Sequence, residues 1–140
     1  MNAANRDKIM SMIAPMQLVY FATSLNQQPY VRPLTMFQVD SKYLIATGTG
    51  DAKVKQITGN PNFELCLEVK EGQSTGSLRL SGNVQLVSDL PLKRKVFQQI
   101  SFIKDYWDKP EHPGFTLFHL RFRMGEYMAP GTITSQKIEF

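Results

Sequence analysis

The sequence predicts a mainly β chain with flanking helices, folded as a small six-stranded antiparallel barrel. Three observations lead there. Apolar and polar residues alternate with the period of a strand through most of the chain. The alternating runs are joined by short polar or glycine-containing turns, which suit hairpins better than the long crossovers of a parallel sheet. Helical spacing is confined to three stretches, too few for strand–helix winding. The 140 residues suit a single domain, 1–140, large enough to bury one core.

The elements follow in order. Residues 3–14 place Ile9, Met10 and Ile13 at helical spacing, and Pro15 ends that helix. Residues 17–24 are apolar on both faces, as for a strand buried on two sides. A polar turn, Leu25-Asn26-Gln27-Gln28, leads to a second strand over 29–39, where Pro33 marks an edge or a bulge. Asp40-Ser41-Lys42 turns the chain into a third strand over 43–47. Gly48-Thr49-Gly50-Asp51 opens a short helix over 52–58, closed by Gly59 and Pro61, with Asp51 or Thr49 as its N-cap. Phe63, Leu65, Leu67 and Val69 alternate with Glu64, Cys66 and Glu68 in a fourth strand. A Gly/Ser/Thr-rich connector over 71–76 precedes the fifth. There Leu78, Leu80, Gly82, Val84 and Leu86 face one side, and Ser77, Arg79, Ser81, Asn83 and Gln85 the other. Residues 90–105 form a helix with Leu92, Val96, Phe97, Ile100 and Ile103 on one stripe and Lys93-Arg94-Lys95 largely opposite. A sixth strand over 115–122 extends or restarts through 123–128.

Composition narrows the functional class. With 42% hydrophobic and 11% aromatic residues the chain is neither disordered nor fibrous. A lone Cys66 cannot form an internal disulfide and is compatible with a reducing cytoplasm, the expected location. No apolar segment of signal-peptide length follows the N-terminus, and the longest nearly uncharged run, 9–30, is broken by polar residues and Pro15. Neither export nor a membrane partner is expected. Sixteen Lys and Arg against twelve Asp and Glu leave a net charge of +4, which favours anionic partners but is too small to announce a nucleic-acid binder.

Side chains for covalent or acid–base catalysis are sparse. His112 lies in a turn, His119 stands alone on a strand, and Cys66 alternates with two glutamates, so no metal site is expected. No nucleophile elbow or paired carboxylates occur at working spacing. Gly48-x-Gly50-x-x-Lys53 is not a dinucleotide fingerprint, because lysine replaces the third glycine and no βαβ unit follows. The segment nonetheless has the makings of an anion site: the start of a helix, the hydroxyls of Thr47 and Thr49, and Lys53 in the first turn. A capped surface helix with a solvated lysine fits the same residues equally well. Arg32, in a largely apolar strand, requires either water or a planar anion. Arg32 and Lys53 together match a phosphate monoester, provided the fold brings them together.

Three stretches in register carry a family resemblance. They are Thr23 with Gln28-Pro29-Tyr30-Val31-Arg32-Pro33-Leu34-Thr35; Tyr43-Leu44-Ile45-Ala46-Thr47 with Lys53-Val54-Lys55-Gln56-Ile57 and Asn60-Pro61; and Arg79-Leu80-Ser81-Gly82-Asn83-Val84. The chain resembles the pyridoxamine 5′-phosphate oxidase-like flavoproteins, most closely their short general-stress-protein-26 and nitroimidazole-resistance type, from about the first helix to Pro130. The resemblance implies a split β-barrel that binds FMN at a homodimer interface. Carried over by position, Arg32 and Lys53 hold the FMN phosphate, and Thr35, Thr47 and Thr49 bond phosphate or ribityl oxygens. Backbone at Pro33-Leu34-Thr35 and Ala46-Thr47 runs along the isoalloxazine, and Ser77 approaches from the second subunit. Two departures stand out: Asp51, where the family often has Ser or Thr, and Ala52, where the oxidase proper has Arg. The tail 132–140 lacks the oxidase's basic, histidine-containing substrate motif, so vitamin B6 oxidation is not expected.

The leading expectation is therefore a homodimeric FMN-dependent oxidoreductase acting on a small molecule, with NADH or NADPH as electron donor. Trp107, Tyr106 and Phe102 are candidates to wall its pocket, although packing of a helix end explains them as well. The alternative is a binding module on the same barrel, holding flavin or haem without turnover. Nucleic-acid contact through Lys93-Arg94-Lys95 is a third reading, without a recognition motif to accompany it.

Overall fold

A computed structural model describes residues 3–140, and its elements run α1 (Ala3–Met10), β1 (Met16–Leu25), β2 (Gln28–Val39), β3 (Lys42–Gly48), α2 (Ala52–Gly59), β4 (Asn62–Glu71), β5 (Ser74–Leu86), α3 (Leu90–Gln99), a 3-10 turn (Ser101–Asp105), β6 (Phe115–Met128) and β7 (Ser135–Glu139). Every strand pairing is antiparallel, in the order β3-β2-β1-β4-β5-β6-β7. An additional β3–β6 pairing closes the first six strands into a ring. The six-stranded barrel expected from the alternation is this ring; β7 is a seventh strand hung on the far half of β6.

Two tight turns set the register of the first three strands. Leu25 pairs with Gln28 around Asn26 and Gln27, and Val39 pairs with Lys42 around Asp40 and Ser41. All four turn residues have positive φ, between 51° and 66°, the left-handed pair of a two-residue hairpin whose twist matches its strands. β2 then pairs with β1 along ten residues but with β3 only through Phe37–Val39. Pro33 falls where the second edge of β2 has no partner strand, which is why a residue without an N–H is tolerated there.

Two hydrophobic clusters result. The barrel interior gathers Val19, Phe21, Leu65, Leu67, Leu78, Leu80 and Leu120 with Ile9 and Ile13 from the N-terminal segment and Ile57 from α2. The second cluster lies outside the β3–β6 seam, where Leu92, Val96, Phe97, Ile100 and Ile103 cover Phe37, Leu44, Phe115 and Leu117. The stripe expected over 90–105 is thus buried as expected, but the helix is not continuous. It stops at Gln99, Ile100 adopts an extended backbone, and the chain resumes as the 3-10 turn.

Other expectations change in instructive ways. The first helix ends at Met10, before Pro15, and two tight-turn hydrogen bonds carry the chain to Ile13. β1 is not buried on both faces, since Met16, Leu18 and Tyr20 are exposed in the single chain. The connector over 71–76 shrinks to a turn, because Ser74 already pairs with Glu71. Leu86 points into solvent rather than joining Val84. Residues 115–128 form one strand, whose register against β5 shifts between Ser81 and Gly82.

At that shift the backbones of β5 and β6 come very close, and a Cβ on Gly82 would collide with the carbonyl of Arg121. Gly82→Ala is therefore expected to destabilise the protein by about 1–3 kcal/mol, read as a lower urea midpoint. An unchanged midpoint would show that the bulge relaxes freely.

Candidate functional site

The site grows from the end of β3. Thr47 is buried, and after the Gly48–Gly50 turn Asp51 occupies the N-cap position of α2 with the extended backbone of a cap. Its side chain makes no cap bond. It turns back instead: the Thr47 hydroxyl donates to Asp51 Oδ2 at 2.6 Å, and the Lys53 ammonium donates to the same oxygen at 3.1 Å and to Thr47 Oγ1 at 2.7 Å. The Lys53 side chain is 19% exposed and that of Asp51 52%, so the carboxylate lies on the solvent side of the ammonium. The Thr47 hydrogen bond, then the Lys53 bond and charge, hold the Asp51 carboxyl below the ordinary aspartate range.

Arg32 reaches the same helix one turn further on. It stands opposite Phe21 in the β1–β2 pairing, and its guanidinium donates to the Phe21 carbonyl at 3.2 Å, Thr23 Oγ1 at 3.0 Å and Gln56 Oε1 at 2.5 Å. Thr23 also donates to Gln56 Oε1, at 2.6 Å. Burial alone lowers the pKa of Arg32 from its ordinary value, though an arginine stays charged. Lys53 and Gln56 are three residues apart and share a face of α2, so both sequence-predicted cations are tied to that face.

A cleft of about 440 Å³ opens above β3, lined by Thr35, Ala46, Thr47, Gly48, Asp51 and Lys53 on one side and by Phe102, Tyr106 and Trp107 on the other. The break at Ile100 delivers that aromatic wall, because a continuous helix would carry these residues along α3's own axis. Trp107 is anchored by its indole N–H to the Gly114 carbonyl at 3.0 Å and packs on Phe115, whereas Tyr106 is 71% exposed. Among the described residues the buried polar ones are Thr23, Thr47, Gln56 and Thr116: Thr47 lines the cleft, Thr23 and Gln56 hold Arg32, and Thr116 lies against Thr49. Buried polar groups are the informative exceptions in a core, and each of these has a hydrogen-bond partner.

The expected site residues divide. Thr35, Ala46, Thr47 and Lys53 line the cleft. Arg32 does not line the cleft and is bonded to Gln56 of α2, Leu34 packs on the barrel interior, and Pro33 is exposed on β2. Thr49 is turned away: its hydroxyl donates to the Pro113 carbonyl at 2.8 Å and lies 2.7 Å from Thr116 Oγ1. Ser77 is on β5 between Glu68 and Met128 and is not brought to the cleft within one chain. Gln56, the common acceptor for Arg32 and Thr23, was not anticipated; its position one helical turn after Lys53 was the available signal. His112 accepts from the Gly114 amide, and no three His, Cys, Asp or Glu among the described residues are grouped to hold a metal. Burial raises the Cys66 pKa, as for an inert strand cysteine.

A barrel of this topology with an aromatic-walled cleft beside a lysine defines a class, and the sequence comparison agrees. The chain belongs to the pyridoxamine 5′-phosphate oxidase family, whose sequence model matches residues 6–129. Solved structures with the same fold include a NimC/NimA family protein from Clostridium acetobutylicum, with TM-score 0.77, 18% identity and 96% of this chain and 91% of that chain covered. General stress protein 26 from Bacillus anthracis gives TM-score 0.74, 21% identity and coverage of 97% and 98%. HutZ, the haem storage protein from Vibrio cholerae, gives 0.67, 15%, and 90% and 94%. At these identities the likeness shows the fold. No curated protein matches the chain. None of the described helices is long and apolar enough to cross a membrane.

The Thr47–Asp51–Lys53 contact has a pH signature. Because the folded-state pKa of Asp51 lies below the unfolded one, the contact's stabilisation is present above the ordinary aspartate pKa and is lost as pH falls through the depressed value. Carbon-detected titration is expected to place the Asp51 carboxyl below the ordinary aspartate range, and Lys53→Met to move it upward. An ordinary inflection in both proteins would break the assignment.

Proposed function

We propose that the chain is an FMN-binding oxidoreductase acting on a small molecule, with the flavin in the cleft above β3 at the interface of a homodimer. One observation carries the reading: a strand edge and a wall of three aromatic residues face each other across a cleft that ends at Lys53 and Thr47. A planar aromatic ligand with an anionic tail has that shape and polarity. The family membership supports flavin among such ligands. When bound, the flavin supplies the redox chemistry, with NADH or NADPH as the proposed donor. The chain's own residues would bind and orient it: Lys53 at the phosphate, Thr35 and Thr47 along the ribityl chain, and Phe102 and Trp107 against the ring.

The homodimer rests on the outer face of β1 and β2. Leu18 is 54% exposed, Tyr20 45% and Val31 69%, and they pair with Thr35, Pro33 and Ala22 in one apolar strip. Thr35 belongs both to that strip and to the cleft, so a second copy seated on the strip would border the ligand. The fold likeness to a haem storage protein favours a second reading, haem binding without turnover. Among the described residues the cleft lining includes no His, Cys or Met, the commoner haem ligands, which ranks flavin ahead.

Purified protein is expected to take up FMN with a flavin absorption band and to elute as a dimer by light scattering. Lys53→Ala removes a charged partner of the phosphate, and Arg32→Ala removes a cation and the clamp on α2. Lys53→Ala is expected to weaken FMN binding by about 1.5–3 kcal/mol, and Arg32→Ala, acting through α2, by less. No FMN uptake, or unchanged affinity in both variants, would sink the reading. Uptake of haemin with a Soret band but not of FMN would replace it with the haem one.

A further inference from the structure

We propose that Asp51 is an internal anion seated at the phosphate end of the cleft, so that a phosphorylated ligand binds only by displacing its carboxylate from Lys53 and Thr47. Asp51 thereby sets the preference between phosphorylated and unphosphorylated forms of one ligand. The inference rests on the flavin reading and names a specificity-determining residue within it.

The first ground is what Asp51 forgoes. An aspartate at an N-cap with extended backbone ordinarily accepts an amide of the first helical turn. Asp51 has the position and the backbone, yet its side chain makes no such bond. It spends its acceptor on the Thr47 hydroxyl and the Lys53 ammonium, the two cleft groups suited to an incoming anion. The carboxylate lies over the Gly48 backbone, where a Cβ would stand 3.6 Å from Oδ1, at van der Waals contact.

The second ground is charge. Among the described residues Asp51 and Lys53 are the only charged ones lining the cleft, and they cancel. Arg32 is held by Gln56, Thr23 and the Phe21 carbonyl and is not among the residues lining the cleft. A phosphate monoester of charge about −1.5 to −2 entering this end meets a carboxylate already on the lysine and cannot share those donors without like-charge repulsion. The third ground is the exposure of the right member of the pair. The carboxylate is the solvent-side partner, so it can swing outward while the largely covered Lys53 stays on Thr47. A neutral tail, such as the ribityl chain of riboflavin, requires no displacement.

The test measures FMN and riboflavin affinities by fluorescence quenching for the wild-type chain, Asp51→Asn and Asp51→Ser. FMN is expected to bind both variants about tenfold tighter, or about 1.4 kcal/mol. Riboflavin is expected to change by less than about twofold, well under that energy. Adding Lys53→Gln is expected to abolish the FMN gain. FMN affinity that is unchanged or weaker, or riboflavin tightening equally, overturns the inference. If neither flavin binds any of the proteins, the flavin reading fails and inorganic phosphate decides the role of Asp51. Broadening of the phosphate phosphorus-31 resonance by Asp51→Asn but not by wild type upholds it, and no difference overturns it.

Discussion

Closure of β3 onto β6 is the constraint from which the remaining arrangement follows. Leu44 through Gly48 pair with His119 through Phe115, and without that ladder β3 would hold to the sheet through only three residues of β2. The seam also has a core of its own. Leu44 and Leu117 are fully buried on its outer side under α3, so the helix is held by the same strands that the ring needs. Burying large aliphatic side chains of this kind is worth about 1.5–3 kcal/mol each. The end of the seam places Thr47 opposite Thr116, launches the turn into α2, and sets the floor on which the 101–107 segment lowers its aromatic residues. Fold and site therefore share one set of contacts.

Much of this was legible in the sequence because period-two alternation is a local signal. The ring strands and α2 fall where the pattern places them, and the apolar stripe of α3 is buried as read. The failures have physical causes. β7 contains one buried residue, Ile138, amid polar neighbours, and its pairing with 124–128 is decided by a partner strand rather than by its own pattern. The break at Ile100 was invisible because Ile100 and Ile103 preserve helical spacing across it. β1 looked doubly buried because Leu18 and Tyr20 are apolar; hydrophobicity registers that a face is to be covered, not which molecule covers it.

The site was legible as residue types and opaque as partnerships. Arg32 and Lys53 were singled out because cations in apolar or helix-starting contexts need anions. Both do have partners, but they are protein groups: an amide, a hydroxyl and a backbone carbonyl for Arg32, a hydroxyl and a carboxylate for Lys53. The distance between Arg32 and Gln56 in the chain, twenty-four residues, puts that contact beyond any local pattern. Asp51 reads in the sequence as an N-cap, whereas in the fold its carboxylate turns to Thr47 and Lys53. The overall +4 says little here, because the charge that matters is the cancelled pair inside the cleft.

The register of β2 binds the cleft to the exposed strip. Arg32, Leu34 and Met36 face inward, toward α2 and the barrel, while Val31, Pro33 and Thr35 face outward, and Thr35 reaches the cleft. A slip of one residue would send Arg32 to the surface and Val31 to Gln56, destroying both features together. Two turns with four positive-φ residues, none of them glycine, hold that register, and each such residue pays a local cost that only the paired strands repay. The strain is tolerable because ten residue pairs of the β1–β2 ladder depend on the first turn. Ligand cleft and apolar strip are thus two readings of one alternation, which is why a ligand above β3 and a partner on β1–β2 would be felt by the same strand.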